Sequence, residues 1–297
     1  ATGLRYAPSE VSIMRSSQHR QVILKFNRSF DRRRMFPILF HAHNMRNLED
    51  LAFWLNLAGK WGDPVLELGC GTGRVLLSLA NAGYAVYGLD SDFAMLEFLR
   101  TQTPSHLAAR VNLIQGDMSD FSLGIQFPLI ILPCNTYSTL SQATRIAALA
   151  RIRQHLLPDG VFATSMPNPS LLKRLPKHAK PEIEDSFPHP LDGEPVQVSS
   201  TWRKTNAQLE ITWIYDHLLA NGEVERTIYQ VTQQIIAFKE IEQELSNAGL
   251  QITAMYGDFD SSSFSNDSTY LILIAQKGEN GSTTVNRGHE HHLVINA

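Results

Sequence analysis

Between Val65 and Asn81 the sequence narrows the fold most. The run Val65-Leu66-Glu67-Leu68 leads into Gly69-Cys70-Gly71-Thr72-Gly73, and a stretch with helical spacing, Arg74 to Asn81, follows and is closed by Gly83. A strand, a glycine turn and a helix in that order put three glycines at the carboxyl end of a strand, where open α/β sheets bind ligands. A residue without a side chain also lets backbone approach a ligand closely. The unit then recurs. Tyr84 to Leu89 predicts a second strand ending at Asp90, Asp92 to Arg100 a helix, and Val111 to Ile114 a third strand. Pro128-Leu129-Ile130-Ile131-Leu132 is an unbroken apolar run, as a strand covered by helices on both faces requires. Ala143 to Leu157 has helical spacing, and Pro158-Asp159-Gly160 turns the chain into a fifth strand, Val161 to Met166. Strands alternating with helices imply a parallel sheet with right-handed crossovers, a doubly wound α/β fold.

The flanks complete this frame. Leu51, Phe53, Trp54, Leu55 and Leu57 predict a helix over Leu48–Lys60, broken by Trp61-Gly62-Asp63-Pro64. The Pro- and Lys-rich stretch 167–195 reads as a long loop with at most a short helix. Beyond it, Val196 to Arg203, Leu209 to His217 and Val224 to Ile236 read as successive strands, with Asn221-Gly222 as a hairpin turn. Phe238 to Asn247 predicts a helix stopped by Gly249, and Leu250 to Tyr256 and Thr269 to Gln276 bring the main sheet to seven strands. The expected organisation is a basic extension over 1–35 with no assigned fold role, one domain over 36–277, and a polar, disordered tail over 278–297.

Charge and composition limit the function classes. The net charge of −3 argues against a general nucleic-acid binder, although residues 1–46 carry +7 and the remainder −10. Cys70 and Cys134 cannot form a disulfide framework, no Cys/His spacing suggests structural zinc, and a reducing, cytoplasmic setting fits. No apolar run approaches the ~20 residues of a membrane-spanning helix. The His289-Glu290-His291-His292 cluster lies in the polar tail and is read as incidental, so no metal is expected.

Three signals carry chemistry. The glycine turn alone is shared with dinucleotide enzymes. Asp90, 21 residues after Gly69, adds a carboxylate at the end of the second strand, able to accept hydrogen bonds from both hydroxyls of a ribose. Asp117 and Met118 follow the third strand; the acid can accept from an adenine amino group and the thioether can pack on the ring, or Asp117 can simply cap a turn. With its Glu67-Leu68-Gly69-Cys70-Gly71-Thr72-Gly73 loop, its Asp90 and its Gly116-Asp117-Met118 segment, residues 46–277 resemble class I methyltransferases dependent on S-adenosyl-L-methionine (SAM). The resemblance implies a Rossmann-like seven-stranded sheet and a SAM site built from Glu67, Gly69, Cys70, Gly71, Thr72, Gly73, Asp90, Ser91, Asp117, Met118 and Cys134. Arg46 is a candidate for the methionine carboxylate or a surface residue, and Asp50, one turn later, either pairs with Arg46 or helps hold the methionine amino group.

Within that family the chain is similar to the branch containing sugar N,N-dimethyltransferases and glycine N-methyltransferase-like enzymes, which insert antiparallel strands after the fifth strand. Residues 196–236 fit such a lid. A nitrogen or oxygen of a small molecule is then the expected methyl acceptor, with a homodimer compatible. Some relatives place a histidine after the fourth strand as a base; here Thr139 stands there. Tyr137 either orients substrate or packs, and His217 on the lid either faces the pocket or sits at an edge. Pro133-Cys134 is the pair that cytosine C5-methyltransferases use, but the flanking Ile131, Leu132 and Asn135 supply no acidic partner, so a nucleic-acid substrate is disfavoured. Two rivals remain: a catalytically silent SAM-binding or partner-binding protein, and a nicotinamide-dependent oxidoreductase, whose loop would read Gly-x-Gly-x-x-Gly.

Overall fold

The computed structural model describes residues 29–278. The basic residues before Ser29 and the tail with its histidine cluster lie outside the described residues.

The chain runs α1 (Ser29–Asn44), α2 (Leu51–Trp61), β1 (Val65–Leu68), α3 (Arg74–Asn81), β2 (Val86–Asp90), α4 (Phe93–Gln102), β3 (Val111–Gln115), β4 (Phe127–Leu132), α5 (Thr136–Thr139), α6 (Gln142–His155) and β5 (Leu156–Pro167). It continues with α7 (Pro169–Arg174), β6 (Glu182–Pro188), β7 (Pro195–Lys204), β8 (Gln208–Leu218), β9 (Val224–Gln234), α8 (Phe238–Asn247), β10 (Leu250–Tyr256) and β11 (Tyr270–Lys277). Seven strands form one sheet in the order β10-β11-β5-β4-β1-β2-β3. The five strands from β3 to β5 in this order form four parallel pairs, while β11 is antiparallel to both β5 and β10. This is the Rossmann-like doubly wound arrangement, and the order reverses between β1 and β4, the point at which such sheets open a crevice. One apolar layer joins α2, α3 and α4 to one face of the sheet, through Trp54, Leu76 and Leu99. A second joins α6 and α8 to the other, through Leu149, Ile152, Ile241 and Leu245.

Strands β6 to β9 form a separate antiparallel sheet. The predicted lid is therefore larger than 196–236: Glu182–Pro188, inside the expected loop, is its edge strand. On β7 the alternate residues Val196, Val198, Ser200 and Trp202 are buried, so this sheet turns one face inward. Part of that face is covered by α1, whose Leu39 packs with Phe187, Val196, Val198 and Tyr215, and part by Leu172 of α7 against Trp202, Leu209 and Ile211. Helix α1 begins within the 1–35 stretch that the sequence leaves without a fold role. Its other side meets the main domain, with the His41 ring 5.1 Å from that of Phe98 on α4. α1 thus ties the lid to the carboxyl edge of the parallel sheet.

Candidate functional site

The glycine turn between β1 and α3 has the backbone its sequence demands. Gly69, Gly71 and Gly73 all have positive φ (67°, 52° and 85°), a region in which L side chains are strained. A Cβ on Gly73 would also lie 2.2 Å from Cδ1 of the fully buried Leu99. Gly73→Ala is accordingly expected to lower unfolding free energy by about 1–2 kcal/mol, read from a urea titration. At Gly71, by contrast, a Cβ would meet nothing within 4 Å. The loop therefore borders open space there.

Asp90 closes the turn. Its Oδ2 accepts from the Gly71 N–H at 2.7 Å and its Oδ1 from the Asp92 N–H at 2.9 Å. Burial pushes its carboxyl upward, opposed by those N–H groups and that of Ser91. Ser91 itself is exposed at the tip. Across the turn, Thr136 Cγ2 and Met118 Cε lie 3.1 and 3.5 Å from where a Gly69 Cβ would stand, so Met118 does reach the loop. Asp117 is exposed, and its Oδ1 accepts from the Ser119 N–H and hydroxyl, which hold its carboxyl below the usual range. It caps its turn while remaining open to solvent.

Several expected assignments change. Arg46 pairs with Asp185 on β6 at 2.6 Å, not with Asp50, so it joins α1's end to the lid and is not the cation beside the glycine loop. That cation is Arg74, the first residue of α3. It holds both carboxylate oxygens of Asp50, donates to Asn47 O at 2.9 Å and donates to Cys134 Sγ at 3.0 Å. Asp50 Oδ2 also accepts from Trp54 Nε1 at 3.0 Å, leaving it committed to protein partners. Cys134 thus lines the site through Arg74. Cys70 turns its thiol into the core against Gly88, and only its backbone belongs to the loop. Thr72 is buried, with Oγ1 3.1 Å from His41 Nδ1 on α1.

Glu67 is buried on β1, its Oε2 has no hydrogen-bond partner among the described residues, and burial pushes its carboxyl well up against the pull of Arg74. The unpartnered Glu67 oxygen, the open space at Gly71 and the carboxyl groups of Asp90 and Asp117 together favour a ligand rich in hydrogen-bond donors. SAM, with an ammonium, a sulfonium, ribose hydroxyls and an adenine amino group, fits that set.

Neither residue expected to act on substrate reaches the loop. Tyr137 is enclosed in the core: its hydroxyl donates to Glu244 Oε2 at 2.7 Å, and Arg145 stands over its ring. Helix α8 supplies that partner, which no local pattern foretold. His217 stacks on His189 at 3.9 Å and meets Asp192 and Glu225 at one end of the lid sheet.

The lid supplies residues that the sequence did not single out. Register places Ser200, Trp213 and Tyr229 in one row across β7, β8 and β9. Glu184 sits at a register shift in β6 and accepts from the Ser200 hydroxyl and from Trp213 Nε1 at 3.3 Å. Burial pushes its carboxyl up. At the far end of the row, Tyr229 stacks on Phe36 of α1 at 4.3 Å, and burial, with the charges of Asp90 and Asp92, pushes its hydroxyl up. On α1, His43 Nδ1 lies 3.1 Å from the Tyr215 hydroxyl, and burial pushes both His41 and His43 down, toward neutral imidazoles. None of these could have been found by motif, because strand register and the approach of α1 bring them together.

Residues 65–160 match the family model of a methyltransferase domain. The chain is 26% identical to the cypemycin N-terminal methyltransferase of a Streptomyces species, over 73% of this chain and 84% of that protein. It is 36% identical to dTDP-3-amino-3,6-dideoxy-alpha-D-glucopyranose N,N-dimethyltransferase of Streptomyces fradiae, over 39% of this chain and 44% of the relative. In fold it resembles the crystal structure of an S-adenosylmethionine-dependent methyltransferase from Clostridium acetobutylicum, with a TM-score of 0.69 at 16% identity, covering 81% of this chain and 98% of the other. No described helix is long and apolar enough to cross a membrane.

Proposed function

We propose that this chain, whose residues 65–160 match a methyltransferase domain, is a SAM-dependent methyltransferase that methylates an amine nitrogen of a small molecule held between the glycine loop and the inner face of the lid. The observation carrying this reading is the row from Glu184 through Ser200 and Trp213 to Tyr229, which lays one carboxylate and two aromatic rings across the inner face of the lid under α1. A carboxylate flanked by aromatic faces favours a cationic amine both by charge and by ring quadrupole. The two relatives named above point the same way, since one is an N-terminal and the other an N,N-dimethyltransferase.

SAM supplies the activated methyl group, and Glu67, the backbone of Gly69 and Gly71, Asp90 and Asp117 are the residues that would hold it. What the protein adds is placement. The lid and α1 exclude water, and an amine that has shed its proton presents a lone pair to the methyl carbon without further activation. This suits a site in which Thr139 stands where some relatives carry a histidine, its hydroxyl donating to Thr136 O. His43, held neutral by burial, is the imidazole to test as the acceptor of that proton.

Calorimetric titration with SAM, S-adenosylhomocysteine and NADH, run side by side, is the first test. Binding of the two sulfur ligands and not NADH is expected; NADH binding would overturn the cofactor site. A panel of amino sugars, amino-terminal peptides and hydroxylated analogues then reads the acceptor from mass gain. Turnover confined to hydroxyl compounds would refute the amine assignment, and SAM binding without turnover on any of them would favour a silent SAM-binding protein. Glu184→Gln is expected to raise KM for an amine acceptor about tenfold with SAM affinity unchanged, from loss of a charge-assisted contact.

A further inference from the structure

At the end of the lid sheet away from the Trp202–Leu209 half, three side chains converge that the methyl-transfer site does not use. His189 follows β6 directly, His217 lies near the end of β8, and Asp192 lies in the turn between β6 and β7. One ligand atom from each lies within 4.8 Å of the others. His189 Nδ1 is 3.1 Å from Asp192 Oδ1, and His217 Nε2 is 3.2 Å from the same carboxylate. The imidazoles are stacked at 3.9 Å with 15° between their planes. We propose that His189, Asp192 and His217 form a divalent transition-metal site, of the zinc class, that staples the β6–β7 turn to the end of β8.

The chemistry of the donor set selects the metal class. Two imidazoles and one carboxylate suit zinc and its neighbours, whereas magnesium and calcium take all-oxygen shells. Ligand atoms about 2.0–2.1 Å from a tetrahedral zinc stand about 3.3–3.4 Å apart, so the observed separations of 3.1 and 3.2 Å need little adjustment to admit the ion. Both rings are buried, and they direct Nδ1 of His189 and Nε2 of His217 at the same carboxylate. Asp192 is held in place: its Oδ1 accepts from the Glu194 N–H at 3.0 Å, within a turn closed by the His189 N–H to Glu194 O at 2.7 Å. Glu225 Oε2 stands 3.8 Å from His217 Nδ1, where an outer carboxylate orients a ligating histidine. Asp192 is partly exposed, so a fourth position opens to water.

Sequence reasoning could not see this site, since 28 positions separate the two histidines. The pairing of Phe187 with Val196 and of Val196 with His217 brings them together.

The test is Zn(II) titration of the full chain in competition with a chromophoric chelator, with Co(II) absorption as a second readout. His289, His291 and His292 are replaced by Ala in the background, so that the tail cannot supply ligands. One equivalent of Zn(II) is expected, with Co(II) giving the intense visible bands of a four- or five-coordinate ion. His217→Gln and Asp192→Asn should each weaken binding at least about tenfold, and Glu225→Gln less. Saturating Zn(II) should raise the melting temperature of the background chain and not that of Asp192→Asn, whose exposed side chain can be changed without opening the core. Absence of a stoichiometric site in the tail-substituted background, or unchanged affinity in both ligand variants, would overturn the proposal.

Discussion

Asp90→Ala is expected to weaken SAM binding by about 1–3 kcal/mol, or about 5- to 150-fold in Kd, while leaving the far-UV spectrum unchanged. Two contributions add to this loss. Asp90 fixes the glycine loop by accepting from Gly71 N–H, and it stands at the β2 tip, where a ribose would offer two hydroxyl donors. They are separable by a cycle that pairs the substitution with an S-adenosylhomocysteine analogue lacking both ribose hydroxyls. If Asp90 binds the ribose, the variant and the parent should differ much less toward the deoxy analogue than toward the natural ligand. If it only braces the loop, the two ligands should lose equally. Affinity for S-adenosylhomocysteine that does not change at all in Asp90→Ala would remove both roles.

How much of this was legible depended on whether the deciding contacts are local. The parallel strands announced themselves because burial on both faces forces runs such as Leu129 to Leu132 to be wholly apolar. The glycine loop did so because only glycine takes its backbone at low cost. Helix α8 was legible to its boundaries from Phe238 to Asn247, ahead of Gly249 with its φ of 72°. Helix α1 was hidden: it begins inside the basic 1–35 stretch, and it contains Pro37, a residue that interrupts most helix interiors. Strand β6 was hidden for a related reason, since prolines bracket it and only one neighbour covers it, so it carries little apolar signature. The candidate site divides along the same line. Asp90 and Met118 follow directly from strand ends, whereas Arg74, which directly follows the glycine loop, was passed over for Arg46 because a surface arginine and a loop-bracing arginine look alike until Asp50 is placed beside one of them. Glu184 and Tyr229 acquire meaning only through register.

Glu244→Ala should destabilise the fold by about 3–5 kcal/mol, the largest effect expected of any substitution considered. Glu244 is buried on α8 and accepts from Arg145 through Nε at 2.8 Å and Nη2 at 2.7 Å, as well as from the Tyr137 hydroxyl. Removing it strands a guanidinium that is 2% exposed; Glu240, itself 43% exposed, is within 3.1 Å but cannot replace a bidentate partner. Arg145 also donates to Leu140 O at 3.0 Å, so its displacement would loosen the segment joining α5 to α6. Tyr137→Phe gives the contrast: one hydrogen bond to a charged group is lost and the guanidinium keeps its carboxylate, for about 1.5–3 kcal/mol. Chemical denaturation of the three chains reads the order directly. The same samples decide the fate of Tyr137 as a substrate-orienting group. With its hydroxyl enclosed by α8 and α6, Tyr137→Phe should bind SAM as the parent does and keep kcat and KM at temperatures where it is folded. A large fall in kcat with unchanged stability would return the tyrosine to the reaction centre and contradict the core position assigned to it here.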